Sequence, residues 1–296
     1  MKVLNFGSLN IDYTYHVSHF VQKGETLLSD MSYVYSGGKG LNQSIALKRA
    51  GVDVFHAGAV GTDGNLLVEL LKDSGVDTRF IKIFPNIRTG NAIIQNDSQG
   101  DNCIIVYGGA NQAITKEMAD EVLQEFGAGD FLILQNEISE IPYIVEQAHK
   151  KGMTIVLNPS PINENIFRIN LDFIDCFILN EGEAKALVSL KENEEVLLEQ
   201  LRKKFPCAEI ILTLGEKGSV YAGKEGVIKQ EAYKIHAVDT TAAGDTFTGY
   251  FLAGRLQGMD VKDALDIASR ASAVAVSRKG AAPSIPVREE IFGGGV

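Results

Sequence analysis

Apolar residues fall along the chain in short, nearly unbroken runs. VLNF near the start, VFHAGAV at 54–60, FLILQ at 131–135, TIVLN at 154–158, CFIL at 176–179 and IILTL at 210–214 are apolar at consecutive positions. A strand with one wet face alternates between apolar and polar residues, whereas a strand covered on both faces need not. These runs therefore predict strands of a covered, mostly parallel sheet. Between them, residues 45–50, 66–72, 116–126, 144–151 and 196–205 carry helical patterns. Strand and helix in turn predict an α/β fold, with a mostly parallel central sheet and helices on both faces.

Two regions break the rhythm. Residues 12–36 and 88–108 alternate and carry turn residues without helical spacing, which predicts small antiparallel β-strands standing off the main sheet. Their expected place is a lid over the carboxyl ends of the parallel strands, where open α/β sheets bind ligands. No internal repeat or low-complexity tract appears, so residues 1–296 are expected to form one domain, with the terminal GGGV frayed.

Composition narrows the choices. With 45% hydrophobic and 22% charged residues, long disorder is not expected. A formal charge of −10 repels nucleic acid and anionic lipid, so any phosphate must be captured locally by backbone amides, a few cations or Mg²⁺. Cys103, Cys176 and Cys207 form no CxxC pair and read as buried free thiols in a reducing cytoplasm. The opening MKVLNFGSLN is too short and too interrupted for a signal-peptide core, and no eighteen-residue apolar stretch follows. A cytoplasmic protein, with neither nucleic acid nor membrane as partner, is the expectation.

Two glycine-containing turns carry candidate chemistry. In DTTAAGDTFTGYF (239–251), Ala242, Ala243 and Gly244 read as the turn into a helix that begins near Asp245. The unpaired N–H groups of such a turn gather at the positive end of a helix dipole and suit a phosphate. Asp245 would stand beside that anion site, or would simply cap the helix. The second turn, SGGKGLNQS (36–44), places three glycines within four residues; backbone can then approach a ligand closely, with Lys39 and Asn42 as donors. Neither turn is a Walker A loop or GxGxxG, and no HRD loop exists, which removes the P-loop, dinucleotide-fingerprint and protein-kinase readings.

GGKGLNQS followed by DTTAAGDTFTGYF resembles the paired signatures of the PfkB carbohydrate kinases, ribokinase subgroup. GSLNID (7–12), GGAN (108–111), LQNE (134–137), LNPSP (157–161), NEGE (180–183), TLGEKGS (213–219) and RKGAAPSIPVREE (278–290) extend the resemblance over essentially the whole chain in the expected order. It implies that Asn10, Asp12, Gly38, Lys39, Asn42 and Glu137 bind sugar hydroxyls, although Asn10 and Asp12 could instead cap the turn after the first strand. It implies Asp245 as catalytic base, with the amides of Ala243 and Gly244 in the anion hole. Asn180 and Glu183 match the NxxE motif used near Mg²⁺ and the triphosphate; by themselves they read as an acidic helix start. Thr213, Gly215, Gly218 and Ser269 fall on the nucleotide side. Asp239, Thr241, Ala275, Arg278, Gly280 and Ser284 match a K⁺ site, Asp239 having a turn cap as its other reading.

Two departures stand out. Ala242 occupies a position where many relatives have glycine, which is harmless provided the turn needs no positive φ, and Leu41 replaces a common alanine. The expected function is transfer of the γ-phosphate of ATP to the terminal hydroxyl of a pentose, D-ribose first, in a homodimer joined through the lid. The alternatives are a kinase of another small alcohol (deoxyribose, a nucleoside or a keto-sugar acid) or a sugar-binding regulator without catalysis.

Overall fold

The computed structural model of the chain describes residues 1–99 and 101–293. Gly100 and residues 294–296, the part of the GGGV tail expected to fray, lie outside the described residues. In chain order the strands are β1 (Val3–Phe6), β2 (Asn10–His16), β3 (Met31–Gly37), β4 (Val54–Gly61), β5 (Asp77–Phe84), β6 (Gly90–Asn96), β7 (Asn102–Tyr107), β8 (Phe131–Gln135), β9 (Thr154–Asn158), β10 (Cys176–Asn180), β11 (Glu209–Thr213), β12 (Ser219–Gly223) and β13 (Gly226–Gln230). The α-helices are α1 (Lys39–Arg49), α2 (Asn65–Asp73), α3 (Lys116–Leu123), α4 (Ile141–Lys150), α5 (Glu181–Val188), α6 (Glu194–Lys204), α7 (Ala243–Leu256), α8 (Val261–Val276) and α9 (Arg288–Phe292).

The main sheet has nine strands in the order β13-β12-β11-β10-β9-β8-β1-β4-β5. From β5 to β11 every pairing is parallel, and β12 and β13 add an antiparallel edge. The apolar runs locate the central strands because both faces there are covered. They do not locate β5 or β13, edge strands whose charged and half-exposed residues break any continuous run. Helix α1 starts six residues before its expected start at 45, because its first six residues, KGLNQS, hold a single large apolar residue, Leu41, and so carry no apolar period. No helix among the described residues is long and apolar enough to cross a membrane.

Alternate strand residues face two cores. Leu4, Leu132, Leu134, Leu157, Phe177 and Leu212 belong to one, which includes residues of α3, α4, α5 and α6. Val3, Ile133, Val156, Ile178 and Ile211 belong to the other, with α1, α2, α7 and α8. Helices α1 and α7 come close on that second face: a Cβ at Gly249 would lie 2.4 Å from the Ala46 Cβ and 2.9 Å from the Leu47 nitrogen. Only a residue without a side chain permits that approach.

The lid is a four-stranded sheet in the order β3-β2-β6-β7. Its two outer pairings are antiparallel, while β2 and β6 run parallel at its centre, a pairing that local alternation does not reveal. All six residues of β7 are exposed, as are Met31 to Val34 of β3; Cys103 on β7 and Cys207 after α6 are therefore exposed thiols, and of the three cysteines expected to be buried Cys176 alone is, because it lies on a covered central strand.

Candidate active site

The order of the strands creates a crevice. From β1 the chain moves outward through β4 to β5, and then returns to β8 on the other side of β1 before proceeding to β11. The connections diverge on either side of the β1–β8 pair, which opens the carboxyl ends of these strands to a ligand. On the face beneath α1 and α7, strands that are otherwise apolar carry polar residues: Asn5, His56, Gln135, Asn158 and Asn180. Asn5, His56 and Gln135 are almost wholly buried.

Gly38 turns the chain into α1 with φ 95°, and a Cβ there would lie 2.9 Å from the Ser8 carbonyl oxygen. This turn presents the Lys39 N–H to Glu137, whose Oε2 accepts it at 3.0 Å. The Ser8 hydroxyl donates to the same oxygen, and the Gly40 N–H donates to Ser8 Oγ at 3.3 Å. Glu137 thus sits at the positive end of α1. Asp12 lies on β2 against Gly37, where a side chain would overlap its carboxylate. Burial, reinforced by Glu137, pushes Asp12 up to about 6. Burial also raises Glu137, against the attraction of Lys39 and the hydrogen bonds of Ser8 and Lys39. For Lys39 burial works downward, but Asp245, Glu137 and Glu183 together hold the ammonium above the ordinary lysine value.

Asn10 and Asp12 are strand residues and cap no turn. Instead Asn10 Oδ1 accepts from Asn111 Nδ2 at 2.8 Å, and Asn111 Oδ1 accepts the Leu9 N–H at 3.0 Å. The GGAN segment therefore fixes Asn10, a role for Asn111 that the motif suggested only by its presence.

Asp245 is the third residue of α7, buried, and it does not cap its helix. Both its oxygens turn to α1: Asn42 Nδ2 donates to Oδ2 at 3.0 Å and Gln43 Nε2 donates to Oδ1 at 2.9 Å. Asn42 has thereby committed its amide nitrogen to the carboxylate, and its buried Oδ1 has no partner among the described residues, an open acceptor for a hydroxyl. The turn ahead of Asp245 does need a positive φ: Ala242 stands at φ 60°, ψ 9°, so the alanine there carries backbone strain that glycine would not. The Ala243 N–H is also not free, since it donates to the Thr240 carbonyl at 3.2 Å. Among the described residues the N–H groups of Gly244 and Asp245 have no such partner, and a Cβ at Gly244 would meet open space. Leu41 is fully buried in the core and does not line the crevice.

The remaining expected residues fall into two groups. Asn180 and Glu183 form a complete capping box on α5, in which the Glu183 N–H donates to Asn180 Oδ1 at 2.9 Å and the Asn180 N–H to Glu183 Oε2 at 3.0 Å. Thr213 ends β11, Gly215 and Gly218 lie in the turn to β12, and Ser269 is buried on α8, which packs against β12 and β13. In the second group Asp239 caps its own turn by accepting the Thr241 N–H at 2.9 Å, and also accepts the Gly280 N–H at 2.9 Å. It ties the approach to α7 to the 278–284 segment. The Arg278 N–H donates to the Ala275 carbonyl at 3.1 Å, and the buried Ser284 hydroxyl donates to the Ala281 carbonyl at 2.8 Å.

The residues 1–288 match the pfkB family carbohydrate kinases. The chain is 36% identical over 300 residues to a ribokinase of Staphylococcus aureus, covering 98% of both chains. It is 32% identical to a ribokinase of Haemophilus influenzae, covering 96% of this chain and 95% of the relative. The solved structure of Arabidopsis thaliana ribokinase complexed with ribose and ATP superposes with a TM-score of 0.87 at 28% identity, over 99% of this chain and 97% of that one.

Two outcomes follow from the geometry. Ala242→Gly is expected to stabilise the protein by ~0.5–1 kcal/mol, as relief of the left-handed strain exceeds the added unfolded-chain entropy. Urea denaturation checks this, and a loss of stability would place Ala242 outside the left-handed region in solution. Asp12 binds its proton more tightly folded (about 6) than unfolded (3.8), so native stability falls as pH rises through that window. In the absence of ligand, Asp12→Asn should add ~1–3 kcal/mol at pH 7.5 and nearly nothing at pH 3.5. Thermal melts at the two pH values measure the difference, and equal gains at both would mean that Asp12 is not desolvated.

Proposed function

The chain belongs to the pfkB family of carbohydrate kinases, and from that premise we propose that it transfers the γ-phosphate of ATP to the terminal hydroxyl of D-ribose, giving ribose 5-phosphate. The observation that carries this reading is the contact between Asp245 and the Asn42-Gln43 amides, 203 and 202 residues away in sequence. It joins the hydroxyl-binding turn to the carboxylate that would take the proton. Asp12, Gly38, Lys39, Glu137, Asn10 and the free Oδ1 of Asn42 hold the ring hydroxyls. Asp245 accepts the proton of the attacking hydroxyl, and the free N–H groups of Gly244 and Asp245 stabilise charge on the phosphoryl oxygens. Thr213, Gly215, Gly218 and Ser269 bind the nucleotide. Residues 1–296 act as one kinase domain in the cytoplasm, with the four-stranded sheet as lid.

Two ions belong to this reading. Mg²⁺ would come with the triphosphate and neutralise its charge, with Asn180 and Glu183 on that side of the crevice. Asp239, Thr241, Ala275, Arg278, Gly280 and Ser284 would hold K⁺. The ligands would be the Asp239 carboxylate, the backbone carbonyls of Thr241, Ala275, Arg278 and Gly280 and the Ser284 hydroxyl; the Asp239–Gly280 contact, which joins the two segments, and the burial of Ser284 support this reading. Such a site would stiffen the turn into α7 without touching sugar. The exposed apolar residues of the lid, among them Val34, Ile104, Ile105 and Val106, fit a second copy of the chain, which makes the working form a homodimer.

With ATP and a panel of pentoses, hexoses and nucleosides, D-ribose should give the highest kcat/KM, and 2-deoxyribose should fall ~10–100-fold behind it, the cost of leaving a buried polar group unpaired. A nucleoside in first place would overturn the pocket assignment. Asp245→Asn should lower kcat by ~10²–10⁴ with the KM for ATP little changed; more than half of the parent turnover would remove Asp245 from the chemistry, and no turnover by the parent with any alcohol would favour a sugar-binding regulator. At constant ionic strength, activity should rise with K⁺ over Na⁺ or Li⁺, and Asp239→Ala should remove that response; equal rates in all three salts would leave Asp239 as a cap alone. Light scattering at micromolar concentration should read twice the 32.1 kDa chain mass, and a monomer would refute the lid interface.

A further inference from the structure

Three buried side-chain amides stand between the sheet and Asp245, and their hydrogen bonds have one direction. Asn5 Nδ2 donates to the Gly40 carbonyl at 2.8 Å and to Ser44 Oγ at 2.8 Å. A backbone carbonyl can only accept, so Asn5 must turn its oxygen the other way, toward β8. There Asn5 Oδ1 receives Gln135 Nε2 at 3.0 Å. The same Nε2 donates its second hydrogen to Gln43 Oε1 at 2.7 Å. Gln43 must therefore face Gln135 with its oxygen and Asp245 with its nitrogen, and its Nε2 reaches Asp245 Oδ1 at 2.9 Å. From the far side Asn158 imposes the same sense. Its Nδ2 donates to the Ile178 carbonyl at 2.8 Å, which leaves its Oδ1 to accept Gln43 Nε2 at 3.4 Å. Both hydrogens of Asn5, Gln135 and Gln43 are thus spent, and Asn5, Gln43 and Gln135 are at most 1% exposed.

From this we infer that Gln43 and Gln135 are positioning residues for phosphoryl transfer. Gln43 holds the Asp245 carboxylate in the plane from which it accepts the hydroxyl proton, and Gln135 prevents Gln43 from turning its carbonyl oxygen to that carboxylate. The inference rests on the reading of Asp245 as the base. A reversed Gln43 would set an acceptor against an acceptor at Asp245, and a donor against a donor at Gln135. The backbone carbonyls of Gly40 and Ile178, which cannot reverse, exclude that state from opposite ends. Among the side chains that reach Asp245, Asn42 fixes the second oxygen, so the two amides of α1 together set the carboxylate's orientation.

The test compares Gln43→Leu, Gln135→Met and the near-isosteric Gln43→Glu with the parent and with Asp245→Asn, using ATP and D-ribose, or the best acceptor of the sugar panel. Gln43→Leu should lower kcat ~10–100-fold and Gln135→Met ~10-fold, the usual range for a group that orients a functional side chain, with both KM values within about twofold. Loss of an N–H donor to the ionised carboxylate should also move the acidic limb of kcat to higher pH in Gln43→Leu, and further in Gln43→Glu, where a second carboxyl shares the proton. Lys39, Glu137, Asp12 and Glu183 also face this region, and they are the same in every protein compared, so a displaced limb reports the amide. A structural role alone would change melting temperature without displacing the limb. If Gln43→Leu does not fold, Gln43→Glu, which keeps the volume, reads the same limb. Wild-type kcat and an unmoved limb in the folded variants, with Asp245→Asn inactive, would overturn the positioning role and leave the base in place. An active Asp245→Asn would instead overturn the base, and the inference with it.

Discussion

The structure depends on a buried carboxylate held by two amides that the chain delivers from more than two hundred residues away. Asp245 can receive Asn42 and Gln43 only if the first turns of α1 and α7 lie side by side over the ends of β1 and β8. Several otherwise unrelated features serve that requirement. Gly249 lets the two helices approach, Gly40 lets α1 settle on the backbone of Gly7 and Ser8, and Ser272 Oγ donates to the Ala243 carbonyl at 3.1 Å to fasten the start of α7 to α8. Each is a small residue at a place where added volume would separate donor from acceptor.

Beneath that contact the sheet supplies direction as well as support. Its central strands are apolar except for the residues that face the α1–α7 side near their carboxyl ends, and there the polar groups connect to one another. The line continues away from Asp245 through Ser44 to His56, whose Nδ1 lies 2.8 Å from Ser44 Oγ. Burial drives that ring down to about 3 against the Gly7 carbonyl, so it is neutral and ends the line without adding a charge. The amide hydrogens of Asn5, Gln43 and Gln135 all find acceptors, which gives these three side chains a single arrangement, while Gln135 Oε1 and His56 Nε2 are buried without a hydrogen-bond partner among the described residues.

Charge concentrates on the other side of the same carboxylate. Glu137, Glu183 and Asp245 gather around Lys39, with Asp12 beside Glu137, and burial acts against Asp12, Glu137 and Lys39 at once. Such a cluster costs the protein stability, because burial weakens the solvation of each charged group. The lid strand β2 carries Asp12 and Asn10 to the edge of that cluster, so the small sheet and the main sheet meet where the charge is densest.

The primary structure alone determined much of this arrangement. Apolar runs marked FLILQ and TIVLN to the residue, because strands covered on both faces need no polar side; the glycines of SGGKG and the small residues of AAGD marked the two turns, because a tight approach of backbone demands residues with little or no side chain. Other features emerged only in three dimensions. That Asp245 is no cap, that the Ala243 N–H is spent on Thr240, that Ala242 takes a positive φ, and that β2 and β6 run parallel are all consequences of how distant segments meet. The same holds for Gln43, Gln135 and Asn158. In sequence each is one polar residue beside an apolar run, and nothing local distinguishes an amide that faces water from one that completes a chain to a carboxylate. Periodicity is a property of neighbours along the chain, whereas hydrogen-bond direction belongs to neighbours in space, and tertiary packing decides which residues those are.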